Sequence, residues 1–195
     1  QMHLGEPHPS NYSYAYAKRM LEVQSRAYRD QYGCNFVTVI PCNIYGPKDN
    51  FSLEDGHVIP SLIHKCWESC THQQDFEIWG TGKALREFIY SKDVGKITQW
   101  VLENYDSPEP LIISPDEEIS IKEIVEDIAD IFEYRGEIVF DGRRDGQLRK
   151  PSNNMSLEYI LSEFLPDFKF TPIREGLEKS IKWFCENRNK ETIRL

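Results

Sequence analysis

Phe36-Val37-Thr38-Val39-Ile40-Pro41-Cys42-Asn43-Ile44-Tyr45-Gly46-Pro47 is the stretch from which the fold is read. Its first five residues are a continuous β-prone run, the pattern of a strand covered on both faces. The run stops at Pro41, and Gly46-Pro47 is a turn signal. Upstream, residues 10–32 read as a helix, with Ser10 or Asn11 able to cap it and Gly33 able to end it. A helix leading into a doubly covered strand is an α/β arrangement. In open α/β sheets ligands lie beyond the carboxyl ends of the strands, which is where Cys42–Pro47 falls.

Downstream, a polar loop is predicted over 42–56, and a helix over 57–69 with Val58, Leu62 and Cys66 on one stripe. Short strands at 76–79 and 87–90 flank the Gly80-Thr81-Gly82 turn. A helix over 92–105, a strand over 110–114 and a helix from Ser120 to about Phe132 follow. Glu123 stands at the capping-box position relative to Ser120. A strand at 137–140, a charged loop at 141–151, and helices at 156–161 and 172–187 complete the chain. No internal repeat or low-complexity segment interrupts this alternation.

With 195 residues, the chain is long enough for one large domain or two small ones. Its 39% hydrophobic content supports a packed core rather than disorder. No apolar run approaches the roughly 20 residues that span a bilayer. Residues 2–11 are polar and Pro-rich, unlike a signal peptide. A net charge of −9 argues against nonspecific nucleic-acid binding, so an anionic ligand needs a local basic cluster. The five cysteines are odd in number and form no CxxC pair, which fits free thiols in a reducing cytoplasm. His64, Cys66, Cys70 and His72 lie close in sequence, but their spacing matches no common zinc module. No metal is expected.

Five clusters carry chemistry. In the first, Tyr14 and Lys18 are four apart, which puts them on one helix face. An ammonium beside a phenol favours the phenolate, lowering a pKa that is ordinarily about 10. Such a tyrosine can exchange a proton with a carbonyl or alcohol oxygen near neutral pH. Taken alone, the pair reads first as a packing Tyr with a solvated Lys. The second cluster is the Pro41–Pro47 segment. The third is Asp55-Gly56-His57, with His57 at a helix start. Trp79 and Arg86 around the glycine turn form the fourth, and Asp145-Gly146-Gln147-Leu148-Arg149-Lys150 the fifth.

Tyr-x-x-x-Lys, a buried strand ending in Pro-x-Asn-x-Tyr-Gly-Pro, then Trp-Gly-x-Gly and Arg-Glu-Phe, in that order, resemble the extended short-chain dehydrogenase/reductase superfamily. Asp49-Asn50-Phe51, Gly56-His57-Val58-Ile59-Pro60 and Asp145-Gly146-x-x-Arg149-Lys150 are most similar to one branch of it. That branch performs NADPH-dependent 3,5-epimerisation and 4-reduction of GDP-4-keto-6-deoxy-D-mannose. The resemblance implies the C-terminal part of a Rossmann-type doubly wound sheet plus a smaller α/β substrate-binding domain. It divides the chain into a partial dinucleotide-binding region, 1–56, and a mainly sugar-nucleotide-binding region, 57–195, with segments returning to the Rossmann sheet.

Residue by residue, the resemblance gives Tyr14 the role of proton donor to the C4 oxygen. Lys18 would hold the nicotinamide ribose and tune Tyr14. Pro41, Cys42, Asn43 and Ile44 would line the nicotinamide side of NADP; the branch usually has Thr where Cys42 stands. His57 would reprotonate the sugar ring and also touch the cofactor. An imidazole, with a pKa near 6.5, suits that exchange. Lys65, Trp79, Arg86, Asp145 and Lys150 would contact substrate, with Lys65 and Arg86 on the GDP diphosphate. Arg149 reads as a solvated or phosphate-facing charge, and Tyr16 and Tyr45 as packing residues. A homodimer built through the Tyr14 helix is implied.

None of the eleven glycines forms the GxGxxG turn that approaches a dinucleotide pyrophosphate. The resemblance implies that this turn, a Ser on the C4 oxygen and a Cys base lie upstream, in a longer protein. The chain alone is then expected not to turn over. Two further readings stay open: a noncatalytic sugar-nucleotide-binding or dimerisation module, and another sugar-nucleotide epimerase or dehydratase of the superfamily.

Overall fold

A computed structural model of the chain describes residues 3, 5–115, 117–143, 145–190 and 193–194. The elements run α1 (Tyr12–Tyr32), β1 (Val39–Pro41), β2 (Asn43–Tyr45), α2 (Val58–His72), β3 (Phe76–Ile78), β4 (Leu85–Tyr90) and α3 (Ser91–Asn104). They continue with β5 (Leu111–Ile113), β6 (Glu118–Ser120), α4 (Ile121–Ile131), β7 (Ile138–Phe140), α5 (Met155–Phe164) and α6 (Ile173–Asn187). The fold is α/β, with three small sheets among the described residues. β1 pairs β5, β2 pairs β4 and β3 pairs β7, all parallel, while β6 joins β4 antiparallel. None of the helices described is long and apolar enough to cross a membrane.

The strand expected over 36–40 begins later, at Val39, and runs through Pro41. Pro41 can close a strand because a terminal position needs no N–H for the ladder; it lies opposite Ile113. Phe36 stays half exposed and packs on the Tyr28 ring, with centroids 5.9 Å apart. The loop expected over 42–56 contains a strand, β2, whose Tyr45 pairs with Tyr90. A three-residue strand has too short a period to show in sequence, and its partner creates it. The same holds for β6.

Two cores form. One gathers Ile89, Ile97, Val101, Leu111, Ile113, Leu157 and Ile160, with Val39 and Cys42 packed against it. It joins β1 and β5 to α3 and α5. The larger core joins Tyr45, Phe51, Ile63, Cys66, Phe76, Ile124, Ile128, Leu177 and Phe184. It packs α2, α4 and α6 against the remaining strands. Within it, Gly176 of α6 lies so close to Tyr45 that a Cβ there would stand 2.0 Å from the phenol oxygen. The Phe51 and Phe184 rings meet at 4.9 Å.

The capping box at α4 forms as expected. The Ser120 hydroxyl accepts from the Glu123 amide, and the Glu123 carboxylate accepts from the Ser120 amide. α1 behaves differently. Asn11 stands at its N-cap with no side-chain cap bond, and the Ser10 side chain lies outside the described residues. Glu22 is its one buried residue among those described, while Tyr12, Tyr14, Tyr16, Met20, Leu21, Val23, Tyr28 and Tyr32 are exposed.

Candidate active site

α1 carries Tyr14 and Lys18 on one face, as the four-residue spacing dictates. The Lys18 ammonium lies 5.6 Å from the centre of the Tyr14 ring, and both side chains are exposed. Tyr16, also exposed, packs edge-on against Tyr12. Tyr45 is a core residue, as its expected packing role requires.

Pro41, Cys42, Asn43 and Ile44 lie at the carboxyl end of β1 and in β2. The Cys42 amide donates to the Ile113 carbonyl at 3.0 Å, which holds this segment to the end of β5. The Asn43 amide group donates to the Glu87 carbonyl at 2.7 Å. Ile44 keeps its apolar side chain 40% exposed. An exposed Ile in a paired strand offers an apolar surface to a flat ring. Burial pushes the Cys42 thiol up from 9.0 to about 11, against a hydrogen bond from Ser114 that pulls it down. Thiolate is the nucleophile, so at pH 8 alkylation of Cys42 is expected about 100-fold slower than for an unperturbed thiol. Peptide mass spectrometry after iodoacetamide treatment checks this; the rate should climb tenfold per pH unit up to about pH 10.

His57 is the N-cap of α2. Its exposed imidazole points Nδ1 toward Asp49, 3.7 Å from Oδ1. About two turns further along α2, Lys65 lays its ammonium over the Trp79 ring, 4.2 Å from the centroid. Burial against the ring lowers the Lys65 pKa, while the Glu77 and Asp141 carboxylates oppose that shift. Trp79 itself is 65% exposed. A stacked lysine beside an open indole face is a cation held ready for an anion, next to a surface for a base or sugar.

Trp79 leads into the turn that Asp141 and Asp145 fix. Asp141 accepts from the Gly80 amide at 2.7 Å and from the Arg143 amide at 2.9 Å, and these bonds lower its pKa. Asp145 accepts from the Thr81 amide at 2.9 Å and from the Thr81 hydroxyl, which lower its pKa likewise. Gly80 has φ of 87°, and a Cβ on it would meet Asp145 Oδ1 at 2.3 Å. Only glycine meets both conditions. Asp145 was expected on substrate; here its carboxylate is engaged by Thr81.

Arg86, in β4, turns toward the same loop. Its guanidinium donates to the carbonyls of Gln147, at 2.6 Å, and Leu85, at 2.7 Å. Arg149 pairs in a forked geometry with Glu118 of β6, so its charge is neutralised by the protein. Lys150 follows, exposed. The structure thus brings Lys65, Trp79, Arg86 and Asp145 around one turn and one loop. Thr81 and Asp141 fix the turn and Glu118 holds Arg149 beside it, and none of the three stands out in the sequence. The Asp145–Thr81 pair spans 64 positions, a separation no local pattern reports. Among the described residues, no group of three or more His, Cys, Asp or Glu side chains forms a metal site. His64 Nδ1 lies 2.8 Å from the Phe51 carbonyl.

This arrangement of a Tyr–Lys helix, a strand-end segment and a cationic aromatic lobe matches a known class. The model of the NAD dependent epimerase/dehydratase family matches residues 1–114, and the chain belongs to that family. Among its relatives, it is 48% identical over 189 residues to the GDP-L-fucose synthase of Dictyostelium discoideum, covering 95% of this chain and 58% of that protein. The probable GDP-L-fucose synthase of Drosophila melanogaster is 43% identical over 196 residues, covering 95% of this chain and 60% of that one. A GDP-L-fucose synthetase from Naegleria fowleri, solved bound to NADP, superposes with a TM-score of 0.87 at 41% identity, covering 99% of this chain and 59% of that one. The chain therefore spans about three-fifths of the length of the relatives it matches.

Proposed function

We propose that the protein carrying this chain is a GDP-L-fucose synthase, which epimerises C3 and C5 of GDP-4-keto-6-deoxy-D-mannose and reduces C4. The observation that carries this reading is the 48% identity to the Dictyostelium discoideum synthase over 189 residues, 95% of this chain. Tyr14 gives a proton to the C4 oxygen, and Lys18 stabilises the phenolate left behind. His57 returns a proton to the ring carbons. Lys65 and Arg86 pair with the diphosphate, Arg86 with the better-shaped donor. Trp79 packs on the base or sugar, and Asp145 and Lys150 contact the substrate.

NADP fits the residues present only at its nicotinamide end. The exposed Ile44, the backbone of Pro41–Asn43 and Lys18 would hold that end, with His57 beside it, and the group supplies hydride when bound as NADPH. Its pyrophosphate has no glycine-rich turn in this sequence. A homodimer through α1 is part of the proposal, supported by the exposed aromatic and aliphatic residues along that helix. A cytoplasmic location is supported by five free cysteines.

The test is product analysis. The intact protein, given NADPH and GDP-4-keto-6-deoxy-D-mannose, is expected to oxidise one NADPH per sugar and to invert both C3 and C5. Reduction without inversion would show a simple 4-reductase and overturn the proposal.

A further inference from the structure

Glu87 stands between the two walls of this site, and none of the roles above uses its side chain. It is 2% exposed, in the middle of β4. Its Oε2 accepts from the Ser114 hydroxyl at 2.9 Å, and its Oε1 accepts from the Ser152 amide at 2.8 Å. Ser114 follows β5, and its hydroxyl also contacts the Cys42 thiol. The Asn154 side chain donates to the Ser114 carbonyl at 3.1 Å. The Glu87 carbonyl takes the Asn43 side chain. One residue therefore touches the strand-end segment at 42–43 on one side and the end of the 141–152 loop on the other.

We propose that Glu87 is a positioning residue that ties the cofactor-side segment Cys42–Asn43 to the substrate-side loop ending at Ser152, so that filling one side favours filling the other. The inference rests on the function proposed above. A buried carboxylate is costly unless each oxygen keeps its donor. If Ser152 shifts, Oε1 must follow it or lose its partner. Moving Glu87 in turn disturbs Ser114, and through it Cys42. Neighbouring Arg86 grips the same loop at Gln147, so β4 holds the loop at two points with side chains facing opposite ways. Two ligands that each order one wall then assist one another, and the assistance is reciprocal.

Calorimetry on the intact protein tests this, with GDP and NADP as probes. The Kd for GDP is measured without NADP and with saturating NADP. In the unsubstituted protein NADP is expected to tighten GDP by at least about fivefold. Glu87→Gln keeps the shape but removes the charge, and should bring that ratio close to one. Its Tm should stay within a few degrees, since neutralising a buried charge need not destabilise a fold. Ser114→Ala should move the ratio the same way, and it decides the matter if Glu87→Gln does not fold. A ratio unchanged in both variants, with or without a fall in Tm, would mean a purely structural carboxylate and overturn the proposal. A ratio of one in the unsubstituted protein overturns it as well. If the unsubstituted protein binds neither probe, the proposed function fails first and this inference with it; binding of both with no dependence on Glu87 defeats the inference alone.

Discussion

Tyr14→Phe is expected to lower the rate of NADPH oxidation by the proposed keto-sugar substrate by about 10²- to 10⁴-fold, the usual weight of a positioned acid. The substitution removes one oxygen and leaves the ring. Tyr14 is 59% exposed, so no buried hydrogen bond is broken and α1 keeps its helix. Phe and Tyr also have similar helix propensities. GDP affinity and Tm should therefore hold while the hydride step collapses. Absorbance at 340 nm, read beside a thermal melt, separates the two. A variant that keeps more than a tenth of the rate would take Tyr14 out of the reaction. Lys18→Met provides the companion measurement, because its charge sits over the same ring. Its loss should be smaller on chemistry and should add a loss of NADP affinity.

His57→Gln is expected to remove inversion while sparing reduction. In D₂O the ring carbons of the keto sugar exchange their hydrogens when an acid returns the proton. That exchange should fall by about 10²-fold or more in the variant. NADPH would still be oxidised, so a reduced sugar lacking the inverted centres should accumulate. The geometry favours a clean result. His57 is exposed at the N-cap of α2 and makes no side-chain cap bond, so the helix does not depend on its ring. Asp49, 3.7 Å away, is its acidic neighbour, and Asp49→Asn should weaken the exchange less than loss of the imidazole. Mass spectrometry of the sugar reads both. Exchange at an undiminished rate in His57→Gln would assign the proton to another group.

The helix at 57–69 was legible because Val58, Leu62 and Cys66 repeat at a helical period, whereas α5 runs Met155–Phe164, longer at both ends than the 156–161 its sequence suggests. α4 was the clearest case, since the Ser120–Glu123 spacing announces its own start. The strands were less so. Phe36 and Val37 have strand-like side chains, yet the ladder begins at Val39, where β5 is in reach. Asn43-Ile44-Tyr45 looks like turn material and becomes a strand because β4 lies beside it. The site divides in the same way. Trp79 is marked by its glycine turn and Lys65 only by the resemblance, and their stacking arises only when β3 folds back along α2. Glu87 stands in the sequence only as the middle of Arg-Glu-Phe and the start of a short strand, which says nothing of what its carboxylate meets. Its partners Ser114 and Ser152 lie 27 and 65 positions away. Arg149 looked available for phosphate until Glu118 was found against it.

The close approach of Gly176 to Tyr45 has a consequence for how the chain is made. Tyr45 and Phe51 leave the ribosome long before the residues that cover them. Their floor is α6, with Gly176 under the phenol and Phe184 against the Phe51 ring, and the Phe51 amide donates to the Arg194 carbonyl. At synthesis rates of about 5–20 residues per second, roughly 130 further residues take on the order of 10 s to appear. During that interval the aromatic residues beside Asn43 and His57 have no lid. A nascent chain stalled before residue 176 would expose them to chaperones and proteases, however well its earlier helices had formed. The covering of Tyr45 and Phe51 thus waits for α6, far in sequence from the tyrosine and lysine of α1.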